Sequence, residues 1–302
     1  MHRFTKVLFT PVGRHDNASA VRRVADLARD NGAHLTLFGV TPQPSRLQRA
    51  LHRSDFFSEV QEADRSEMAA RLERYAAKQD GLPVEVAVET GDHAIGVIDR
   101  VASEGHDLVV VTTGDDDEGH ATVKRLLRSC PCPVWVIRPT RARVQRVLAA
   151  VNPDPDEREL NIEILQLASS MVSRFGGELH LVHAWELYGE DTLRNSPFIH
   201  MPASEVAALA KTEHDRHTAA LDDLLEASGL AAEPWRIHLV KGRPEDVVCG
   251  LVKRSRINVL VMGTVARTGV PGVVIGNTAE RVLDDVACSV IAVKPAGFAA
   301  PS

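Results

Sequence analysis

The chain has 302 residues, which corresponds to two domains at the usual size of roughly 150 residues per domain. Its composition, 44% hydrophobic and 25% charged residues, is that of a globular protein and excludes a disordered chain. The net charge of −6 argues against nucleic acid or an anionic membrane as a partner, and no apolar run forms a signal peptide or approaches the ~18 residues of a membrane span. The four cysteines occur without export features, so the expected location is the cytoplasm.

The first half of the chain alternates short apolar runs with segments of helical spacing. It opens with KVLFTPVG at 6–13, and a stripe of small apolar residues follows at 21–28. The segment 89–113 pairs a helical pattern with the run DLVVVTT, and CPVWVIRP at 132–139 closes the half. This alternation predicts strands separated by helices, the pattern of a parallel α/β sheet.

The second half repeats the first in the same order. RVLAAVNP at 146–153 resembles KVLFTPVG, the segment 240–264 resembles 89–113, and CSVIAVKP at 288–295 resembles CPVWVIRP. Repeated segments in one order indicate a duplicated domain. We therefore predict two tandem domains, at residues 1–142 and 143–302.

Each domain is predicted to be a doubly wound α/β unit. The strands predicted in the second half lie at 146–151, 178–183, 235–240, 257–262 and 289–293. They are apolar on both faces, which indicates a five-stranded parallel sheet with helices on both faces, and the order 3-2-1-4-5 is expected. Ligands of such sheets bind at the carboxyl ends of the first and fourth strands, so the loops 152–158 and 263–277 are expected to line a site.

The loop after the fourth strand of the second half is rich in glycine. It reads VMGTVARTGVPGVVIGNTAERVL over 261–283, and Gly276 immediately precedes a helical pattern. A helix N-terminus leaves backbone amides unpaired and binds phosphate well. The competing interpretation is a capping box formed by Asn277 and Glu280, which requires no ligand. Neither GxxxxGK[ST] nor GxGxxG occurs, which excludes the P-loop and dinucleotide-dehydrogenase motifs.

The duplication and three segments carry a resemblance to a known family. The segments are VNPDPDE at 151–157, KGRPEDVV at 241–248, and the glycine loop followed by VACSVIAVKP. Together they resemble the universal stress proteins, and the tandem arrangement is similar to the UspE-like members. The resemblance covers nearly all of residues 4–296. It implies ATP or AMP as ligand, with Mg²⁺ accompanying ATP, because members that bind these nucleotides share G-x2-G-x9-G-[ST] on this loop and an Asp after the first strand.

Transferred residue by residue, the resemblance assigns a ligand site to the second domain. The site residues are Val151, Asn152, Gly263, Ala266, Arg267, Gly276, Asn277 and Thr278. Three of them depart from the pattern: Ala266 replaces a glycine, Asn277 replaces the hydroxyl residue, and Asn152 replaces the Asp. The middle of the loop is apolar, so an amphipathic or lipid-like ligand is an alternative to a nucleotide.

The corresponding loop of the first domain has a different character. It reads TTGDDDEGHATVKR from 112 to 125, so four acidic residues, 115–118, stand where phosphates would lie. Gly13 occupies the position of the Asp that contacts adenosine. Like charges repel, so nucleotide binding is not expected in this half.

No metal site and no catalytic group are predicted. Two groups contain residue types that bind metals: the acidic loop with His93 and His120, and the pair His214 and His217 on a helix. A solvated loop and an exposed polar helix face are the simpler interpretations. No G-x-S-x-G elbow or Cys–His pattern occurs, so the protein is not expected to be an enzyme. Weak ATP hydrolysis is the catalytic alternative.

The sequence thus predicts a cytoplasmic stress-response binding module that holds a nucleotide or another small phosphorylated ligand in its second domain. Its two domains are expected to pair within the chain, and a homodimer is the alternative. A structural partner protein without a small ligand is the remaining interpretation.

Overall fold

A computed structural model describes residues 4–13, 17–44, 54–112, 117–138, 146–199, 201–264, 276–295 and 298. These residues divide into two compact units, one within residues 4–138 and the other built from 146–264 and 276–295. None of the described helices combines the length and apolarity needed to cross a bilayer.

The first unit alternates strands and helices from its beginning. Its strands are β1 (Lys6–Pro11), β2 (His34–Thr41), β3 (Val84–Thr90), β4 (Leu108–Thr112) and β5 (Val134–Ile137). Its helices are α1 (Ala18–Asn31), α2 (Ser54–Ala76), α3 (His93–Glu104) and α4 (Asp117–Ser129). β1 pairs in parallel with β2 and β4, β3 pairs with β2, and β5 pairs with β4, so the strands run β3-β2-β1-β4-β5 across the sheet.

The second unit repeats this arrangement. Its strands are β6 (Arg146–Ala150), β7 (Glu178–Trp185), β8 (Trp235–Lys241), β9 (Val259–Gly263) and β10 (Ser289–Val293). Its helices are α5 (Arg158–Phe175), α6 (Glu190–Asn195), α7 (Ala203–Ser228), α8 (Pro244–Arg254) and α9 (Asn277–Asp285), and a 3₁₀ turn at Pro155–Glu157 precedes α5. The parallel pairings give the order β10-β9-β6-β7-β8.

Consecutive residues are buried along three strands of the second unit. All five residues of β10 are buried, as are the first four of β9 and the middle three of β6. Successive side chains of a strand point to opposite faces, so burial of both faces requires a cover on each side. α5 packs against α7, and α8 packs against α9, which supplies two helical layers. The predicted α/β class with parallel sheets is confirmed.

In the first unit, the carboxyl ends of β1 and β4 are occupied by the protein's own polar side chains. The Thr112 hydroxyl donates to Asn17 Oδ1 at 2.7 Å, and the backbone N–H of Asn17 donates to the Tyr75 hydroxyl at 3.1 Å. Thr10 Oγ1 lies 2.6 Å from His93 Nε2. Burial lowers the pKa of His93 to about 4, although neighbouring Asp92 acts in the opposite direction. His93 is therefore neutral near pH 7, in contact with the Thr10 hydroxyl.

The neutral state of His93 predicts a pH dependence of stability. Its pKa is about 4 in the folded protein and near 6.5 in the unfolded chain, so the unfolded chain binds the proton first as the pH falls. The contribution of neutral His93 to the free energy of unfolding is therefore complete above pH 6.5. It is lost as the pH falls from 6.5 through about 4, by at most about 3 kcal/mol. In His93→Gln, the free energy of unfolding in urea should fall less between pH 7 and pH 4.5 than in the wild type.

The matched control is His34→Gln, which replaces an exposed histidine at the start of β2. This variant should keep the full pH dependence of the wild type. Identical pH slopes for His93→Gln and the wild type would contradict the assignment of a half-buried, neutral His93.

Candidate functional site

The second unit contains a cavity of about 450 Å³ at the carboxyl ends of β6, β7 and β9. This volume lies within the range of small-molecule sites, about 300–1,000 Å³. Much of the wall is apolar, with contributions from Leu160, Ile164, Val182, Val248, Met262 and Val282. Polar groups enter from the loops that follow the strands.

Six of the eight residues predicted for the site line this cavity: Val151, Asn152, Gly263, Gly276, Asn277 and Thr278. The other two, Ala266 and Arg267, lie outside the described residues, as do the valines of the same loop. Their proposed contact with a ligand stays a prediction. Glu157, Asn161 and His183 also line the cavity, although none of them was among the predicted site residues.

The N-terminus of α9 opens into the cavity. Gly276 is the N-cap, and no side-chain hydrogen bond caps the helix there. Asn277 and Thr278 are the first two residues of the helix, so their amides have no partner within it. Both residues are exposed. The capping box with Asn277 as N-cap is wrong, because the helix begins at Asn277 itself, one residue earlier than that motif requires.

Backbone hydrogen bonds hold the residue that precedes this helix. The N–H of Gly276 donates to the carbonyl of Thr264 at 2.8 Å, and the N–H of Thr264 donates to the carbonyl of Val293 at 3.2 Å. The N-cap of α9 is thus bonded to the residue that follows β9. A Cβ on Gly263 would lie 3.1 Å from Leu160 Cδ2, so glycine keeps the wall of the cavity uncrowded at this position.

Asn161, on α5, holds the loop after β6. Its side chain is buried, its Oδ1 accepts from the N–H of Asn152 at 3.0 Å, and its Nδ2 donates to the carbonyls of Asn152 and Glu157, each at 2.7 Å. Asp154 caps the 3₁₀ turn by accepting from the N–H of Asp156 at 3.1 Å. One amide therefore satisfies three backbone groups and fixes the loop that carries Asn152 and Glu157.

Glu157 is the one carboxylate among the described residues that line the cavity, and none of those residues is a lysine or arginine. Its side chain is half-buried, and Asn152 Nδ2 donates to its Oε2 at 3.1 Å. The cavity therefore presents hydrogen-bond donors at α9 and an acceptor after β6.

His183 contributes to the cavity wall and contacts a second histidine behind it. Its Nδ1 lies 3.1 Å from the carbonyl oxygen of Val151, and its Nε2 lies 2.9 Å from Nδ1 of His217 on α7. His217 Nε2 lies 3.3 Å from Glu213 Oε1. The two rings thus join the cavity wall to a carboxylate on α7.

The acceptor groups around His183 and His217 determine which of their ring nitrogens carry hydrogens. A carbonyl and a carboxylate only accept, so His183 Nδ1 and His217 Nε2 must carry hydrogens for these contacts to be hydrogen bonds. With one further proton between the rings, the pair holds three protons and one positive charge. Burial lowers the pKa of His217, whereas Glu213 acts in the opposite direction. The interpretation of His217 as part of an exposed polar face is wrong.

Among the described residues, no three His, Cys, Asp or Glu side chains are placed to share a metal ion. His180, three residues before His183 on β7, contacts a different set of side chains: its Nδ1 lies 3.0 Å from His238 Nε2, and its Nε2 lies 3.4 Å from Glu178. The acidic residues 115 and 116 lie outside the described part of the chain.

Removing the Asn161 amide should loosen the loop that it holds. Asn161→Ala leaves one N–H and two carbonyls without this partner, and we expect the free energy of unfolding to fall by about 2–3 kcal/mol. Chemical denaturation in urea measures the change. Ser173→Ala on the same helix removes only an exposed hydroxyl that donates to Ser169, and it should stay within about 0.5 kcal/mol of wild type. Equal effects of the two substitutions would contradict the role of Asn161.

The model of the universal stress protein family matches the chain twice, at residues 4–138 and 144–294. Universal stress protein E of Photorhabdus laumondii is 24% identical over 300 residues, covering 95% of this chain and 93% of the relative. Universal stress protein E of Escherichia coli K12 is 27% identical over 232 residues, covering 73% of this chain and 71% of the relative. The predicted resemblance is confirmed.

Solved structures share the fold along most of the chain. Protein PA1789 from Pseudomonas aeruginosa PAO1 has a TM-score of 0.69 at 23% identity, with 97% of this chain and 94% of that chain covered. A putative universal stress protein from Pseudomonas aeruginosa UCBPP-PA14 has a TM-score of 0.68 at 24% identity, with the same coverage. With two compact units of one topology and a family match to each, the chain belongs to the universal stress protein family and carries two of its domains in tandem.

Proposed function

We propose that the protein is a cytoplasmic stress-response binding module and that its second domain holds a small phosphorylated ligand in the cavity between β6 and β9. ATP and AMP are the nucleotides that the family resemblance implies, with Mg²⁺ accompanying ATP. The observation that carries the proposal is the N-terminus of α9, whose first residues line the cavity behind an N-cap without a side chain.

The electrostatics of this helix favour an anion. The first amides of a helix carry a partial positive charge, and phosphate placed there accepts their hydrogen bonds without a lysine or arginine. Gly276 and Gly263 bring the backbone to the cavity surface at the two positions where the nucleotide-binding pattern has glycine. The departures at Asn152 and Asn277 retain hydrogen-bonding amides in place of a carboxylate and a hydroxyl.

The rest of the cavity is suited to a ligand with an apolar body. Val182, Val248 and Val282 line it together with other aliphatic side chains. The flat, weakly polar faces of a nucleobase can pack on such a wall. The same wall supports the second candidate, an amphipathic molecule with one anionic group.

We further propose a binding rather than a catalytic role. The described residues that line the cavity include neither serine nor cysteine, and both ring nitrogens of His183 contact protein groups. Hydrolysis of a nucleotide needs a group that activates water. Glu157 is the carboxylate in the cavity, and its Oε2 accepts from Asn152.

Ligand binding should be lost when a negative charge is placed at the start of α9. Thr278→Asp introduces a carboxylate at the second residue of the helix, a position where an acid stabilises the helix but repels phosphate. We expect the Kd for AMP, measured by titration calorimetry, to rise at least about tenfold, which corresponds to about 1.4 kcal/mol of binding free energy. ATP is titrated in parallel, with and without Mg²⁺. In wild type, ligand at 100 times its Kd should add about 2.7 kcal/mol to the free energy of unfolding.

The matched control is Ser204→Asp, which puts the same charge at the second residue of α7, outside the cavity lining. It should bind AMP as the wild type does. Failure of both nucleotides to bind wild type would contradict the nucleotide proposal. Recovery of a lipid-like molecule from the purified protein by mass spectrometry would then favour the amphipathic candidate.

A further inference from the structure

Two thiols lie together at the junction between α4 and β5. Cys130 is the first residue after α4, and Cys132 comes two residues before β5 begins. Their sulfurs are 3.6 Å apart, and both residues are buried. The other two cysteines of the chain, Cys249 and Cys288, lie in the second unit. The first unit therefore contains a dithiol pair with one residue between its members.

Backbone hydrogen bonds hold this pair at both ends. The N–H of Cys130 donates to the carbonyl of Leu126 at 2.9 Å, which attaches the first thiol to the last turn of α4. The carbonyl of Pro133 accepts from the N–H of Val109 at 3.0 Å, which attaches the other end of the segment to β4. Proline stands between the two cysteines as well, and its ring fixes φ. The fold thus already supplies the proximity that a disulfide between distant cysteines would have to gain at the cost of chain entropy.

A small movement of the side chains joins these sulfurs. The bond length of a disulfide is about 2.0 Å, so the sulfurs of Cys130 and Cys132 have to approach by about 1.5 Å. A ring with only one residue between its cysteines is strained, and a strained disulfide is reduced more easily than a relaxed one. Such a bond forms while an oxidant is present and is lost again when thiol reductants act on it.

The exposure of the pair favours a small oxidant. Cys130 is 0% exposed and Cys132 is 8% exposed, whereas Pro131 between them is exposed. Hydrogen peroxide is little larger than a water molecule, and a tripeptide disulfide such as oxidised glutathione is far larger than the exposed part of either thiol. Cys132, the more exposed of the two, is the thiol that peroxide meets first.

We propose that Cys130 and Cys132 form a peroxide-sensitive dithiol site that is converted reversibly to an intramolecular disulfide. In the first step the Cys132 thiolate attacks one oxygen of hydrogen peroxide. The S–O bond forms, the O–O bond breaks, and the departing hydroxide takes up the proton of the thiol to become water, which leaves a sulfenic acid.

In the second step the Cys130 thiolate attacks the sulfur of Cys132. The S–S bond forms, the S–O bond breaks, and the second hydroxide leaves as water with the proton of the Cys130 thiol. Two thiols and one peroxide thus give one disulfide and two waters, with the sulfurs oxidised and the peroxide oxygens reduced. The site belongs to the first domain, so this inference does not rest on the proposed ligand of the second.

Mass spectrometry of the full chain after peroxide treatment tests the proposal. The reduced, folded protein is treated with hydrogen peroxide, then denatured, alkylated with iodoacetamide and digested with trypsin. The tryptic peptide that follows Arg128 contains both cysteines of the pair. We expect this peptide to carry no alkyl group and to be lighter than the dithiol peptide by two hydrogens, while Cys249 and Cys288 stay alkylated. Dithiothreitol added before alkylation should restore both alkyl groups.

Cys130→Ser removes the thiol that resolves the sulfenic acid. Dimedone traps sulfenic acids, and we expect it to label Cys132 in this variant at least about tenfold more than in the wild type. The matched control is Cys249→Ser, which removes a buried thiol of the second unit. This control should form the disulfide as the wild type does and should show no added labelling of Cys132.

Three results in the wild type would overturn the proposal. The first is full alkylation of Cys130 and Cys132 at a peroxide dose that oxidises all of the glutathione added to a parallel sample. The second is a sulfinic acid at either position in place of the disulfide. The third is a disulfide that joins one member of the pair to Cys249 or Cys288. Circular dichroism shows whether Cys130→Ser is folded, and the wild-type peptide masses decide the question even if it is not.

Discussion

Burial of both faces of a parallel sheet confines polar chemistry to the ends of its strands. Along β6, β9 and β10 nearly every residue is buried, so a charged side chain there would lose its hydration without a partner. The polar groups that could meet a ligand therefore stand just after the strands, on the 3₁₀ turn and at the first turn of α9. The rest of the site depends on this constraint.

The two domains use the same strand ends in different ways. In the first, hydroxyl, amide and imidazole groups bond to one another, as Thr112 does to Asn17 and Thr10 to His93. In the second, Asn161 forms hydrogen bonds with the backbone of the loop after β6, and Asn152 and Glu157 of that loop line the cavity. The two domains thus share the sheet. The residues that follow the strands determine whether the polar groups there bond to one another or line a cavity.

The fold followed from the sequence because burial leaves a periodic signal. The apolar runs at 178–183 and 289–293 became β7 and β10 with little change of boundary. Side-chain direction at the site left no such signal. Glu157 lines the cavity from the last position of a 3₁₀ turn, and Asn161 contacts Asn152, nine residues earlier in the chain. His217 was expected on an exposed face because its partner, His183, lies 34 residues away on another element.

The imidazole pair has a consequence for how the second domain responds to its surroundings. Glu213 and one edge of His217 reach the outer side of α7, with a quarter or less of each side chain exposed, while His183 faces inward. A proton taken up from solvent on the outside is shared across the short contact between the rings and so adds charge behind the inner wall. Because burial disfavours that uptake, it occurs in a more acidic medium than for a free histidine. The cavity wall at His183 therefore becomes more positive as the medium becomes more acidic.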